Sequence, residues 1–116
     1  MAIFPHPYDK LRGSAFHPEE EDLKIIDGLE IFNSRCLLNS FNKKATKTIE
    51  NTSLIYTAGS DSHFKNEIGN AGVITKTDDF EESIRKKKCS IFGKKSFFYN
   101  TILTKGMKIW KKRASG

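Results

Sequence analysis

Asp61 and His63 stand two residues apart, directly after the apolar run Ser53-Leu54-Ile55-Tyr56-Thr57-Ala58 and its closing Gly59. In extended backbone, residues i and i+2 point to the same side, so a carboxylate and an imidazole here can face one point in space. That donor pair suits zinc, manganese or iron, and the C-terminal end of a strand is where open α/β sheets and barrels build their sites. The plainer reading is a turn aspartate capping the helix that follows, beside a surface histidine. His6 is a second candidate ligand. It follows the apolar Ala2-Ile3-Phe4 and is held between Pro5 and Pro7, whose rings restrict the backbone that presents it. Taken alone, His6 also reads as an ordinary loop histidine; two strand-end histidines with a strand-end aspartate carry more weight together. His17 has no comparable setting and reads as surface. Arg12 and Arg35 each follow a strand end by a few residues. Guanidinium groups on that rim suit bidentate capture of a phosphate, or else an exposed salt bridge of little worth, for example to Asp9.

These residues need elements to position them. Ala2 to Phe4 reads as the end of a buried strand, stopped by proline. Pro18 followed by Glu19, Glu20, Glu21 and Asp22 predicts a short helix, with acids at the positive end of its dipole. Asp27-Gly28 marks a turn. Leu29 to Phe32 predicts a second strand, Lys43 to Glu50 a helix, and Ser53 to Ala58 a third strand. A short helix to Ile68, a strand over Gly72 to Thr75, a helix over Phe80 to Lys87 and an extended Ile91-Phe92 follow. From Ser96 to Arg113, apolar residues recur at positions that share one broad helix face. Strands alternate with helices, so the expected class is α/β with parallel strands.

The chain has 116 residues, 37% of them hydrophobic and 29% charged, enough for one domain. Nine phenylalanines argue against wholesale disorder. No apolar run approaches the ~18 residues of a membrane span. The N-terminal residues lack the pattern of a secretory signal. Cys36 and Cys89 therefore read as free thiols of a cytoplasmic protein. Charge is divided unevenly. Residues 1–83 hold nine basic and all fourteen acidic residues, a net of −5, whereas residues 84–116 hold eleven basic residues and no acid, a net of +11. Such a tail attracts polyanions, or it lies as a solvated face against the acidic body.

Three segments together resemble the polymerase and histidinol phosphatase (PHP) family. Phe4-Pro5-His6-Pro7-Tyr8-Asp9-Lys10-Leu11-Arg12-Gly13 is similar to that family's late strand-end histidine segment. Asp27-Gly28-Leu29-Glu30-Ile31-Phe32-Asn33-Ser34-Arg35 is similar to its next strand, and Thr57-Ala58-Gly59-Ser60-Asp61-Ser62-His63-Phe64 to its closing Gly-Ser-Asp-x-His motif. Glu67-Ile68-Gly69 also fits, and Ile91-Phe92-Gly93-Lys94-Lys95-Ser96 is similar to a C-terminal extension of some microbial members. The resemblance implies a distorted seven-stranded β/α barrel whose divalent metals activate water for attack on a phosphoester. It implies metal ligation by His6, Asp61 and His63, with Arg12 and Arg35 holding the phosphate.

The family's early His-x-His pair and further ligands have no counterpart here. Three candidate ligands are too few for a multi-metal cluster. The expectation is therefore the C-terminal portion of such a barrel (residues 1–78) with a basic extension (79–116), a truncated phosphoesterase inactive alone. Zinc, manganese or iron would bind if another chain, or self-association, completed the site. A phosphorylated small molecule or nucleotide would then be the substrate. The alternative is a non-catalytic module whose basic C-terminal helix, with Phe97, Phe98, Tyr99 and Trp110 interleaved, holds nucleic acid or anionic membrane.

Overall fold

Three short β-rich segments associate side by side and all run the same way. In the computed structural model, which describes residues 1–13 and 16–116, β1 (Ile3–Phe4), β2 (Gly28–Asn33) and β3 (Ile55–Gly59) form a parallel sheet in the order β1-β2-β3. Ser14 and Ala15 lie outside the described residues. Gly28 sits opposite both Ile3 and Ile55, and the β2–β3 register shifts between Glu30 and Phe32. Gly28 is there because the backbones approach closely: a Cβ at this position would stand 2.4 Å from the Ile55 carbonyl oxygen.

The crossover from β2 to β3 is α1 (Asn39–Glu50), as parallel neighbours require. Ala45 is buried and Ile49 half-buried on its inner face, where they join Tyr8, Leu29, Ile31 and Leu54 in the core. α1 begins four residues before the expected Lys43. The Asn42 side chain accepts from Asn33 N at 3.0 Å and donates to Asn33 O at 3.2 Å, so the first turn is pinned by a tertiary contact rather than by local propensity. The helix expected after Pro18 shrinks to a single 3-10 turn, Asp22–Lys24, with no fully buried residue. A nucleus that buries so little has nothing to drive its extension.

β4 (Ala71–Thr75) and β5 (Cys89–Gly93) form a separate two-stranded sheet, and it is antiparallel, which corrects the expectation of parallel strands throughout. The reversal lies after α2 (Phe80–Arg85). Lys87 adopts a left-handed backbone with φ +53°; its N–H donates to Ile84 O and that of Lys88 to Ser83 O. A non-glycine residue making this turn leaves no sequence signal. The chain ends in α3 (Phe98–Ala114). The described residues thus form a small α/β unit with one parallel and one antiparallel sheet, and these sheets do not close into a barrel.

Candidate functional site

Because β1, β2 and β3 are parallel, their C-terminal ends lie at one edge of the sheet, and the loop after each carries polar side chains. His6 follows β1; Glu30 and Asn33 lie in β2 with Arg35 just beyond; Asp61 and His63 follow β3. His6, Tyr8 and Asp61 have positive φ (+33°, +69° and +49°). His and Asp tolerate this region better than most residues, and such backbone strain concentrates at functional sites. Asp61 is therefore not in the extended conformation expected for the Asp-x-His segment. The pair nevertheless stays close: His63 Nδ1 is 4.0 Å from Asp61 Oδ1 and 2.9 Å from the Asp61 carbonyl oxygen.

Arg12 ties this edge together. Its guanidinium donates to Asp9 Oδ2 at 2.9 Å, to Asn33 Oδ1 at 3.2 Å and to Asp61 Oδ2. Burial works against its charge, but Asp61 and Asp9 outweigh burial and raise its pKa further. The Asp9 partner matches the exposed-bridge reading in identity, although Asp9 is buried. Glu30 was given no role in the sequence reading. Its Oε2 accepts from His6 N at 2.7 Å and from Asn33 Nδ2 at 3.0 Å. Burial pushes the Glu30 carboxyl above its ordinary value, and the hydrogen bonds from Asn33 and His6 only partly oppose this. The available signal was a single acid inside the apolar Leu29-Glu30-Ile31-Phe32.

Arg35 takes a different position. It is buried, as is Glu67, and its Nη1 donates to Glu67 Oε2 at 2.9 Å. Glu67 Oε2 also accepts from His63 N at 2.8 Å and Phe64 N at 3.1 Å. Burial would raise the Glu67 carboxyl, but these N–H groups and the Arg35 charge hold it below its ordinary value. Arg35 Nη2 continues to Thr104 Oγ1 at 2.8 Å and the Asn100 carbonyl at 3.4 Å, both on α3. One buried ion pair thus joins the β2 end, the His63 loop and the C-terminal helix.

Arg12, Arg35 and His63 line a pocket of about 260 Å³, closed on one side by Thr101, Thr104, Lys105 and Lys108 of α3. Its charged lining is entirely basic, which suits an anion. His17 is exposed and stands outside it.

Residues 39–89 match the family model described as PHP-associated. The match to the PHP-associated model is confined to this segment, somewhat less than half of the chain. It runs from the start of α1 to the first residue of β5, and so includes Asp61, His63 and Glu67. The chain is also similar to an uncharacterized protein of Methanocaldococcus jannaschii, with 37% identity over 90 residues, covering 68% of this chain and 38% of that relative. The chain therefore spans well under half the length of the curated relative it matches. No solved structure gives a significant match.

PHP proteins are metal-dependent, so the donors can be tested for fit. His6 Nδ1 is buried without a hydrogen-bond partner among the described residues, as a ligand nitrogen awaiting a metal would be. Against this, Asp61 is engaged by Arg12. Among the described residues no three His, Cys, Asp or Glu side chains converge to hold a metal. The donors fit a metal centre in type and fall short in number.

The two thiols are free and differ sharply. Cys36 is 1% exposed, and burial, with Asp9 beside it, pushes its thiol up to about 12. Cys89 is half-buried. In a native-state titration with a thiol-reactive disulfide reagent, one thiol, Cys89, is expected to react, with Cys36 following only on addition of denaturant. Two equally fast thiols would contradict this placement.

Proposed function

We propose that this chain supplies the strand-end part of a PHP-type metal-dependent phosphoester hydrolase site, with residues 79–116 as its basic extension. The observation that supports the reading is that His6, Asp61 and His63 each follow the C-terminal end of a parallel strand, two of them in left-handed backbone, beside a pocket whose charged lining is basic. His6, Asp61 and His63 are the metal donors in this proposal. Arg12 and Arg35 are the basic groups on the phosphate side, and a phosphorylated small molecule or nucleotide is the substrate class. A divalent metal in such a site supplies a water of lowered pKa and stabilises charge on phosphoryl oxygens. This chain's residues contribute donors and positive charge, but not a complete ligand set. A chain supplying further ligands, or self-association, would complete it.

Calorimetric titration of the purified chain with Zn²⁺ or Mn²⁺ tests the reading. Binding should be weak, substoichiometric to the two or three metals of a full site, and reduced at least tenfold by Asp61→Ala or His63→Ala, with His17→Ala unchanged. Arg12→Gln should strengthen binding by about 10- to 100-fold, because it frees Asp61 from a charge-assisted hydrogen bond worth about 1.5–3 kcal/mol. Absence of any Asp61-dependent binding at millimolar metal would sink the ligand assignment. Aryl phosphate turnover by the isolated chain, lost in Asp61→Ala, would overturn the expectation that it is inactive alone.

A further inference from the structure

α3 rests on the protein by its polar side. Asn100 is buried, and its Nδ2 donates to Asn66 Oδ1 at 3.2 Å; Thr104 Oγ1 accepts from Arg35. With about 100° per residue, the half of the helix turned away from Asn100 and Thr104 carries Phe98, Tyr99, Ile102, Ile109 and Trp110, with Leu103 at its border. Each of these is between 50% and 70% exposed. Water-soluble helices bury this kind of face and wet the other; α3 does the reverse, and its buried hydrogen bonds keep it so oriented.

The flanks of the apolar half say what covers it. Lys105 and Lys112 border one edge, Arg113 projects from the same half at the C-terminal end, Lys111 lies on the side of Asn100 and Thr104, and no acidic residue occurs after Glu82. Long cationic side chains flanking an apolar arc can lay their stems along it and carry their charges to its rim. A second copy of α3 would bring the same positive charges against these. Duplex nucleic acid would meet Ile102 and Ile109 at the centre of the face, where it needs phosphate contacts. No helix among the described residues is long and apolar enough to cross a membrane.

We propose that α3 lies in the plane of an anionic lipid surface, its apolar half in the acyl boundary and its flanking cations among the headgroups. This inference is independent of the metal-site reading. It also places the basic pocket beside the Lys105 edge of that face, within about one helix diameter, 10–12 Å, of the lipid.

Trp110 is the only tryptophan and lies on the apolar face, so its fluorescence reports directly. With phosphatidylcholine vesicles containing phosphatidylglycerol, the full chain should float with the lipid and its emission should shift to the blue. With phosphatidylcholine alone at the same lipid concentration it should do neither. Lys105→Gln/Lys112→Gln/Arg113→Gln should weaken partition by about 100-fold, each cation near an anionic surface contributing about fivefold. Ile102→Glu/Ile109→Glu should abolish it with the circular dichroism of the free protein retained. An unshifted Trp110 with anionic vesicles overturns the proposal. So does a shift produced equally by duplex DNA without flotation, or one that grows with protein concentration in the absence of lipid alongside a dimer in sedimentation.

Discussion

Arg35→Met should lower the unfolding free energy by about 3–5 kcal/mol at neutral pH, because it strands a buried carboxylate that keeps its charge without its partner. For a chain of this size that is a large fraction of total stability, and urea unfolding should show a lower midpoint or no cooperative transition. The pH dependence identifies the cause. In the native protein the Glu67 carboxyl is held below its ordinary value, so its stabilising contribution is fully present above the unfolded pKa and is lost as pH falls through the lower folded value. Without Arg35, burial dominates at Glu67, and protonation relieves the strain instead of causing it. The penalty of Arg35→Met should therefore shrink as the solution is acidified through the carboxylate range. Glu30 already behaves in this sense, since its folded pKa is raised and its burial cost falls as pH drops. Adding Glu67→Gln should recover part of the loss, since an amide oxygen still accepts from His63 N and Phe64 N. A penalty independent of pH would show that Arg35 acts through packing alone.

Gly28→Ala should cost about 1–3 kcal/mol, the range for forcing extra volume into a packed site. The added Cβ would lie 2.4 Å from the Ile55 carbonyl oxygen and 2.5 Å from Ile55 Cγ1. The first of these atoms is backbone, so strand β3 itself must move. Gly13→Ala is the matched control: among the described residues, its chain neighbours aside, no atom lies within 4 Å of its would-be Cβ, and little change is expected. Thermal unfolding of the two variants side by side decides the point. Because the shift would separate β2 from β3 where they pair, Gly28→Ala should also loosen the Asn33 contacts to Asp61 and Arg12 at the far end of the same strands.

The parts of this molecule readable from its residues are those fixed locally. Short apolar runs closed by Pro5, Asn33 and Gly59 mark the three parallel strands, and the periodic apolar positions after Ser96 mark α3. Strand-end residues such as His6 and Asp61 follow from these. What depended on distant chain segments was not readable. Nothing local shows that Asn42 would pin the start of α1, that Lys87 would reverse the chain without glycine, or that Glu30 would brace His6. The periodicity of α3 revealed an apolar face but not its direction; Asn100 and Thr104, unremarkable in the sequence, decide that by binding the interior.

The shared guanidinium of Arg35 also makes two remote events one equilibrium. Glu67, which holds the His63 loop, and Thr104, which seats α3, draw on the same group. If a surface that captures α3 favours the seated helix, it raises the population of the ordered His63 loop. Thermodynamic reciprocity then requires a ligand that orders that loop to strengthen capture of α3 by the same factor.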